Sequence, residues 1–436
     1  MTIVASRPGD GATTVTTAPA IDQARFLRRL HLLARCGALP EGGITRHLYT
    51  PAWTQAHELV AAWMREAGFH VRRDPVGNLF GRVEGSRGGR VVAIGSHLDT
   101  VRAGGALDGA LGIVGAIEAL SSLVTRFGRP QRIVEVVALC DAEGGRFGLP
   151  HFGARAMAGR LGADEVADTH DAEGVSLADA MRGAGLAPGQ DAERLDLDAF
   201  LELHIEQGPV LDACGGRLGL ATRAASAALL EVEVRGRADD AASAPQRGRA
   251  DALLGAAEMS LCVASLVGAG AVSSEEGHPH EPRVPAAAAT VGRFRVEPDQ
   301  ANVVPSRVRF TVDLRHEQVS GHETLVGAVK GECARIARER GLAHEVRVLR
   351  LTTPRPFDPA LMARLRLGCE AVGVTPVDLV SPAGHDAQAM APAARTALLL
   401  VPSLGGRSHC ADEATAAEDV VLGTRALAAA LHDLLY

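Results

Sequence analysis

Lysine is all but absent: Lys330 is the only one in 436 residues, and arginine carries the rest of the basic charge. We read that bias as GC-rich codon usage rather than as function. An excess of positive charge is also missing, since 45 Lys and Arg stand against 52 Asp and Glu, a formal net charge of -7. Such a balance offers no general attraction to nucleic acid or to an anionic membrane surface. Aromatic residues make up only 3%, yet 47% of the chain is hydrophobic and 22% charged, a globular composition that excludes collagen-like and disordered classes. No stretch reaches the ~18 continuous apolar residues that a membrane helix needs. The seven cysteines form no Cys-x-x-Cys pair and are odd in number, so a reduced, cytoplasmic chain is expected. Residues 1–20, rich in Thr, Ala and Gly, lack the charged start and apolar core of a signal peptide and read as a disordered tail.

What is present is alternation. Apolar residues recur at helical spacing over Ile21 to Cys36 and Pro51 to Ala67, and strand-like runs follow at His70 to Arg73, Leu79 to Glu84 and Arg90 to Gly95. A helix over Leu111 to Phe127 and a buried strand over Arg132 to Leu139 continue an α/β pattern with helices on both faces of a sheet. Near Gly219 the pattern changes. Strands at Leu229 to Arg235, Ala288 to Val296, Val308 to Arg315 and His344 to Leu351, with helices at Arg249 to Val267 and Glu323 to Arg340, give the order β-α-β-β-α-β of a ferredoxin-like unit. The first pattern then resumes through Leu398 to Val401 and a closing helix over Ala416 to Leu435. A two-domain chain is expected, with residues 21–216 and 353–436 forming one domain and 217–352 inserted into it. The His278-Pro279-His280 segment reads as an exposed loop of the insert with no metal role.

Chemistry concentrates in five polar clusters, each just after an apolar strand-like run, where open α/β sheets bind ligands. They are Gly95-Ser96-His97-Leu98-Asp99-Thr100 with Asp108-Gly109, Cys140-Asp141-Ala142-Glu143-Gly144, Glu202-Leu203-His204-Ile205-Glu206-Gln207, Gly384-His385-Asp386-Ala387 and Ser408-His409. His97 can ligate a metal with Asp99 orienting its ring, and Asp108 can bridge two cations. One such histidine alone is more often structural, but five clusters at successive strand ends argue for a site. Cys140 and Cys410 have no recognisable base beside them and read as packing residues.

The segments GSHLDTV, HIEQGP, NVVP, DLRH, GHDAQ and VPSLGGRSH resemble those of the M20 metallopeptidase-type amidohydrolases. HIEQGP and GHDAQ together are similar to the hydantoinase/carbamoylase branch: N-carbamoyl-L-amino-acid hydrolases, allantoate amidohydrolases and β-ureidopropionases. The resemblance runs from about Arg46 to the C-terminus. It implies an aminopeptidase-like catalytic domain with an inserted ferredoxin-like lid and dimerisation domain, a homodimer, and two divalent ions of the Zn, Mn, Co or Ni type. His97 and His204 would hold one ion, Glu143 and His409 the other, and Asp108 would bridge them. Gln207, Asn302, Arg315 and His385 match the positions that bind a substrate carboxylate. Arg315 is the natural bidentate partner for such a group, although taken alone it also reads as a strand-end ion pair.

Two positions depart from the family's pattern. Its general base is replaced by Ala142, which cannot accept a proton, and loss of a positioned base typically costs about 10²–10⁴ in rate. The lid histidine that polarises the scissile carbonyl is replaced by Asp240, whose charge would repel a developing oxyanion. Asp240, or Asp141 if it can turn toward the metals, is a candidate replacement base. The expected activity is hydrolysis of a C–N bond in an N-carbamoyl or N-acyl amino acid. The alternatives are a non-hydrolytic reaction at the retained metal site (condensation, cyclisation, isomerisation or elimination) and a catalytically inactive homologue.

Overall fold

The computed structural model describes residues 2–4, 19–268 and 287–436, so the His278-Pro279-His280 loop lies outside the described residues. The chain divides into two compact units, Met1–Arg223 with Pro356–Tyr436, and Ala224–Arg355.

Four parallel strands form the centre of the first unit's sheet, side by side in the order Arg395–Val401, Leu197–Ile205, Val91–His97 and Val134–Leu139. All residues of Val91–His97 and Val134–Leu139 are buried. Their unbroken runs of Val, Ala, Ile and Leu suit strands covered on both faces. Leu79–Val83 and His70–Arg73 extend the sheet antiparallel on one side, and Gly219–Ala224 does so on the other. Helix Ala110–Phe127 is long and apolar enough by composition to cross a membrane, but 67% of it is buried inside this unit. Its Leu111, Val114 and Ile117 join Val92, Ile94, Leu203 and Leu427 in one core cluster. Burial at roughly 25 cal/mol per Å² of apolar surface makes that helix a central stabilising element. The expected helix starts are realised by local chemistry: Thr50 caps Pro51–Glu66 by accepting from the Trp53 N–H, with Pro51 at the first helical position.

The tail reading needs one correction. Thr2–Val4 is a strand paired in parallel with Ala414–Ala416, in keeping with the β-branched Thr-Ile-Val run. Residues 1 and 5–18 lie outside the described residues.

In the second unit the sheet order is Ala287–Glu297, Arg307–His316, Ser226–Arg235 and Ala343–Thr352, antiparallel throughout. With helices Ala252–Gly268 and Val319–Glu339 this is the β-α-β-β-α-β arrangement of a ferredoxin-like unit. Ala228, Leu230, Val232 and Val234 lie at every second position of the central strand and point into a core shared with Phe310, Val329 and Ile336.

Candidate metal centre

The parallel strands deliver polar residues at their C-terminal ends. His97 closes Val91–His97, His204 lies one residue from the end of Leu197–Ile205, Glu143 follows Val134–Leu139, and His409 follows Arg395–Val401. Asp108 sits in the turn between His97 and helix Ala110–Phe127. Gly109 begins that helix at φ 66, and any Cβ there would lie 2.5 Å from the His97 carbonyl oxygen. Only glycine lets the turn approach so closely.

Three imidazoles converge on the single carboxylate of Asp108. Its Oδ1 lies 3.2 Å from His97 Nε2 and 3.1 Å from His204 Nε2, while its Oδ2 lies 3.2 Å from His409 Nε2. Glu143 Oε1 is 3.2 Å from the same His409 nitrogen. Two groups of atoms able to share an ion result, His97–Asp108–His204 and Asp108–Glu143–His409, each within 4.8 Å.

The tautomers decide what this arrangement needs. His97 Nδ1 faces the Asp99 carbonyl oxygen at 3.1 Å, and His204 Nδ1 faces that of Ile205 at 2.9 Å. A carbonyl only accepts, so each Nδ1 carries the proton, and in the neutral ring Nε2 presents a lone pair. The Gly109 N–H, 3.2 Å from His204 Nε2, agrees with that assignment. Two lone pairs then point at a carboxylate oxygen that has no hydrogen-bond partner among the described residues. The contact is repulsive unless positive charge lies among these atoms. With protons as the only cations, burial disfavours a charged His409, but Asp108 and Glu143 push its pKa up to about 11. A donor set of three imidazoles and two carboxylates, one able to bridge, fits divalent metal ions equally well.

Supporting residues fix this geometry. Asp99 faces His97 Nδ1 with its carboxylate at 3.4 Å and accepts the Ala142 and Glu143 N–H groups, both at 3.0 Å, tying two clusters together. Gln207 Nε2 donates to Asp108 Oδ2 at 2.9 Å and lies 3.0 Å from His409 Nε2. His385 is buried, its Nε2 is 2.7 Å from Ser381 Oγ, and its ring meets His204 edge-on with centroids 4.7 Å apart. Glu413 was not anticipated: it accepts from the backbone N–H groups of Leu107 and Asp108 and from Ser408 Oγ.

The remaining candidates sit differently. Asp141 is buried at φ 55, and among the described residues neither of its carboxylate oxygens finds a hydrogen-bond partner. Burial, then the charges of Asp99 and Glu143, hold its carboxyl well above the usual range. Asp240, Asn302 and Arg315 belong to the second unit. The exposed Asp240 carboxylate accepts the Ser243 and Ala242 N–H groups at 2.8 and 2.9 Å, and these bonds lower its pKa and its basicity. Asn302 accepts the Ala241 N–H through its carbonyl at 3.1 Å. Arg315 forms a two-point ion pair with Asp313, Nε to Oδ1 at 2.6 Å and Nη2 to Oδ2 at 3.0 Å.

Residues 93–433 match the family described as Peptidase family M20/M25/M40. An allantoate amidohydrolase of Bacillus subtilis is 36% identical, over 93% of this chain and 96% of its own. An N-carbamoyl-L-amino acid amidohydrolase of Geobacillus stearothermophilus is 35% identical over 92% and 96%. Among solved structures, a hydantoinase/carbamoylase family amidase from Burkholderia vietnamiensis superposes with a TM-score of 0.88 at 32% identity, covering 96% of this chain and 98% of that one. Fold, strand-end clusters and matched length agree, and the chain belongs to peptidase family M20/M25/M40, in its hydantoinase/carbamoylase branch.

Proposed function

We propose that this protein is a binuclear metal-dependent amidohydrolase that cleaves a C–N bond of an N-carbamoyl (ureido) or N-acyl amino acid. It is a hydrolase of carbon–nitrogen bonds other than peptide bonds. The observation that carries this reading is the convergence of His97, His204 and His409 on the two oxygens of Asp108, with Glu143 completing the set. Those five residues would hold divalent ions of the Zn, Mn, Co or Ni type, which would supply Lewis acidity at the site. The chain's own residues do the rest. Asp99 and the Ile205 carbonyl keep the His97 and His204 rings in one tautomer, and Gln207 holds Asp108 from the outside. Gln207, Asn302, Arg315 and His385 are the proposed anchors for the substrate carboxylate, and a cytoplasmic homodimer is the proposed assembly.

A second reading has one specific observation in its favour. Ala142 occupies the position of the family's general base, with its backbone N–H bound to Asp99 and no side chain that can take a proton. A metal-polarised carbonyl without an activated water suits condensation, cyclisation, isomerisation or elimination. The test is direct: incubate Zn- or Mn-loaded protein with N-carbamoyl and N-acyl amino acids and with allantoate, following ammonia and free amine. Turnover above the metal-only background supports hydrolysis. Two bound ions with no turnover on any substrate overturn it in favour of the second reading.

A further inference from the structure

The loop that lost its base carries a second, unassigned proton acceptor. After strand Val134–Leu139 the chain runs out and folds back on itself: the Gly153 N–H donates to the Cys140 carbonyl at 2.7 Å, Phe152 to Asp141 at 3.0 Å, and His151 to Ala142 at 3.0 Å. His151 therefore stands directly across this closed loop from Ala142. It adopts the left-handed conformation, φ 53 and ψ 34, in which histidine, asparagine and aspartate are enriched among residues other than glycine.

What holds this ring is Asp386. Its Oδ1 lies 2.9 Å from His151 Nδ1, and the Asp386 side chain is 1% exposed against 22% for His151. A buried carboxylate on Nδ1 fixes the proton there and leaves Nε2 with its lone pair. Nε2 lies against Gly384, where an added Cβ would come within 3.1 Å of it. The next residue, His385, stacks edge-on with the proposed ligand His204. The dyad is thus built between the Ala142 turn and the Gly384-His385 turn, both at the strand-end face that carries the metal-holding groups.

We propose that His151, oriented by Asp386, is the general base that replaces the missing side chain at position 142. This rests on the hydrolytic reading above. His151 Nε2 takes one proton from the attacking water, directly or through one further water, as the water oxygen bonds to the carbonyl carbon. When the C–N bond breaks, that proton passes to the leaving nitrogen and the ring returns to neutral. His151 is the catalytic residue here, and Asp386 is a positioning residue that sets its tautomer.

Initial rates on the metal-loaded, full-length protein with N-carbamoyl amino acids test the assignment. His151→Asn is the variant of choice, because asparagine tolerates the left-handed backbone. Its kcat should fall about 10²–10⁴-fold, with metal content and melting temperature unchanged. Asp386→Asn should lower kcat while leaving KM in place. Adding Ala142→Glu to His151→Asn should restore much of the rate, since it returns a base from the opposite side of the loop. A His151→Asn rate within about threefold of the unaltered protein, where loss of a base costs about 10²–10⁴-fold, overturns the assignment and leaves hydrolysis standing. Loss of rate that Ala142→Glu fails to restore makes His151 structural and also overturns it. Absence of turnover by the unaltered protein on every substrate overturns hydrolysis itself, and this base with it.

Discussion

Glu413 lies directly behind Asp108: its Oε1 accepts the Asp108 N–H at 3.1 Å and the Leu107 N–H at 2.9 Å, while its Oε2 accepts from Ser408 Oγ at 2.8 Å. One buried side chain thereby ties the turn bearing Asp108 to the loop bearing His409. Burial and the charge of Asp108 raise its pKa to about 7. Outer residues of this kind typically change metal affinity about 10–100-fold when removed. Glu413→Ala should weaken metal binding by that factor, measured by competition with a chromophoric chelator. Glu413→Gln should retain most of the affinity, because its remaining oxygen can still accept both backbone N–H groups. Gly105→Ala should behave like the alanine variant, since its Cβ would fall 2.0 Å from the Glu413 carboxyl. Equal affinities in all three variants would reduce Glu413 to packing.

Removing the metals has a stability consequence as well. A ligand that binds only the folded state stabilises it by about 2.7 kcal/mol at one hundred times its Kd. Chelator-stripped protein should therefore melt at a lower temperature and regain it on addition of Zn or Mn. Asp108→Asn, which removes a carboxylate charge shared by three imidazoles, should abolish most of that regain and lower the metal content. A melting temperature indifferent to metal in the unaltered protein would argue against the centre.

The clusters around the metal centre were legible because their residues follow strand ends in sequence, each as a short His- or acid-containing motif. The ferredoxin-like order was legible for a similar reason: Ser226–Arg235 and Arg307–His316 alternate apolar and polar residues with a period of two. Glu413 and His151 were not legible. Their roles come from partners 305 and 235 positions away, Asp108 and Asp386, and Leu-Pro-His-Phe around His151 has no periodicity or metal-ligand spacing. The bond between Asp313 and Arg315 was only half foreseen, because two residues separated by one along a strand share a face whether or not a substrate also lies there.

His57 gives the fold a pH signature independent of the metal centre. It is fully buried, faces the Trp53 carbonyl through Nδ1 at 3.0 Å, and leaves Nε2 without a partner among the described residues. Burial, aided by the charge of Arg73, depresses its pKa from 6.5 to about 3. Between those values the unfolded chain binds a proton that the folded chain refuses, so this stability is complete above pH 6.5 and lost as pH falls toward 3. The slope approaches about 1.4 kcal/mol per pH unit. Urea midpoints at pH 7.5, 6.5 and 5.5 should fall more steeply for the unaltered protein than for His57→Gln. Parallel curves would mean that the ring accepts its proton while folded.

Arg315 separates substrate anchoring from a purely structural ion pair. Its guanidinium already meets Asp313 at two points, which fixes the fork before any ligand arrives, and a pre-oriented fork loses little entropy on binding a carboxylate. A charge-assisted hydrogen bond contributes roughly 1.5–3 kcal/mol, so its removal is felt about 10–100-fold. If Arg315 anchors the substrate, Arg315→Met should raise KM by that factor for carboxylate-bearing substrates and change kcat little. The same variant should leave KM unmoved for a substrate amide lacking the carboxylate. Asp313→Asn, which frees the fork from its resident anion while keeping its shape, should lower KM severalfold. Should Arg315→Met instead lower the melting temperature and leave KM unchanged, the pair serves the strand alone, and the carboxylate is bound elsewhere.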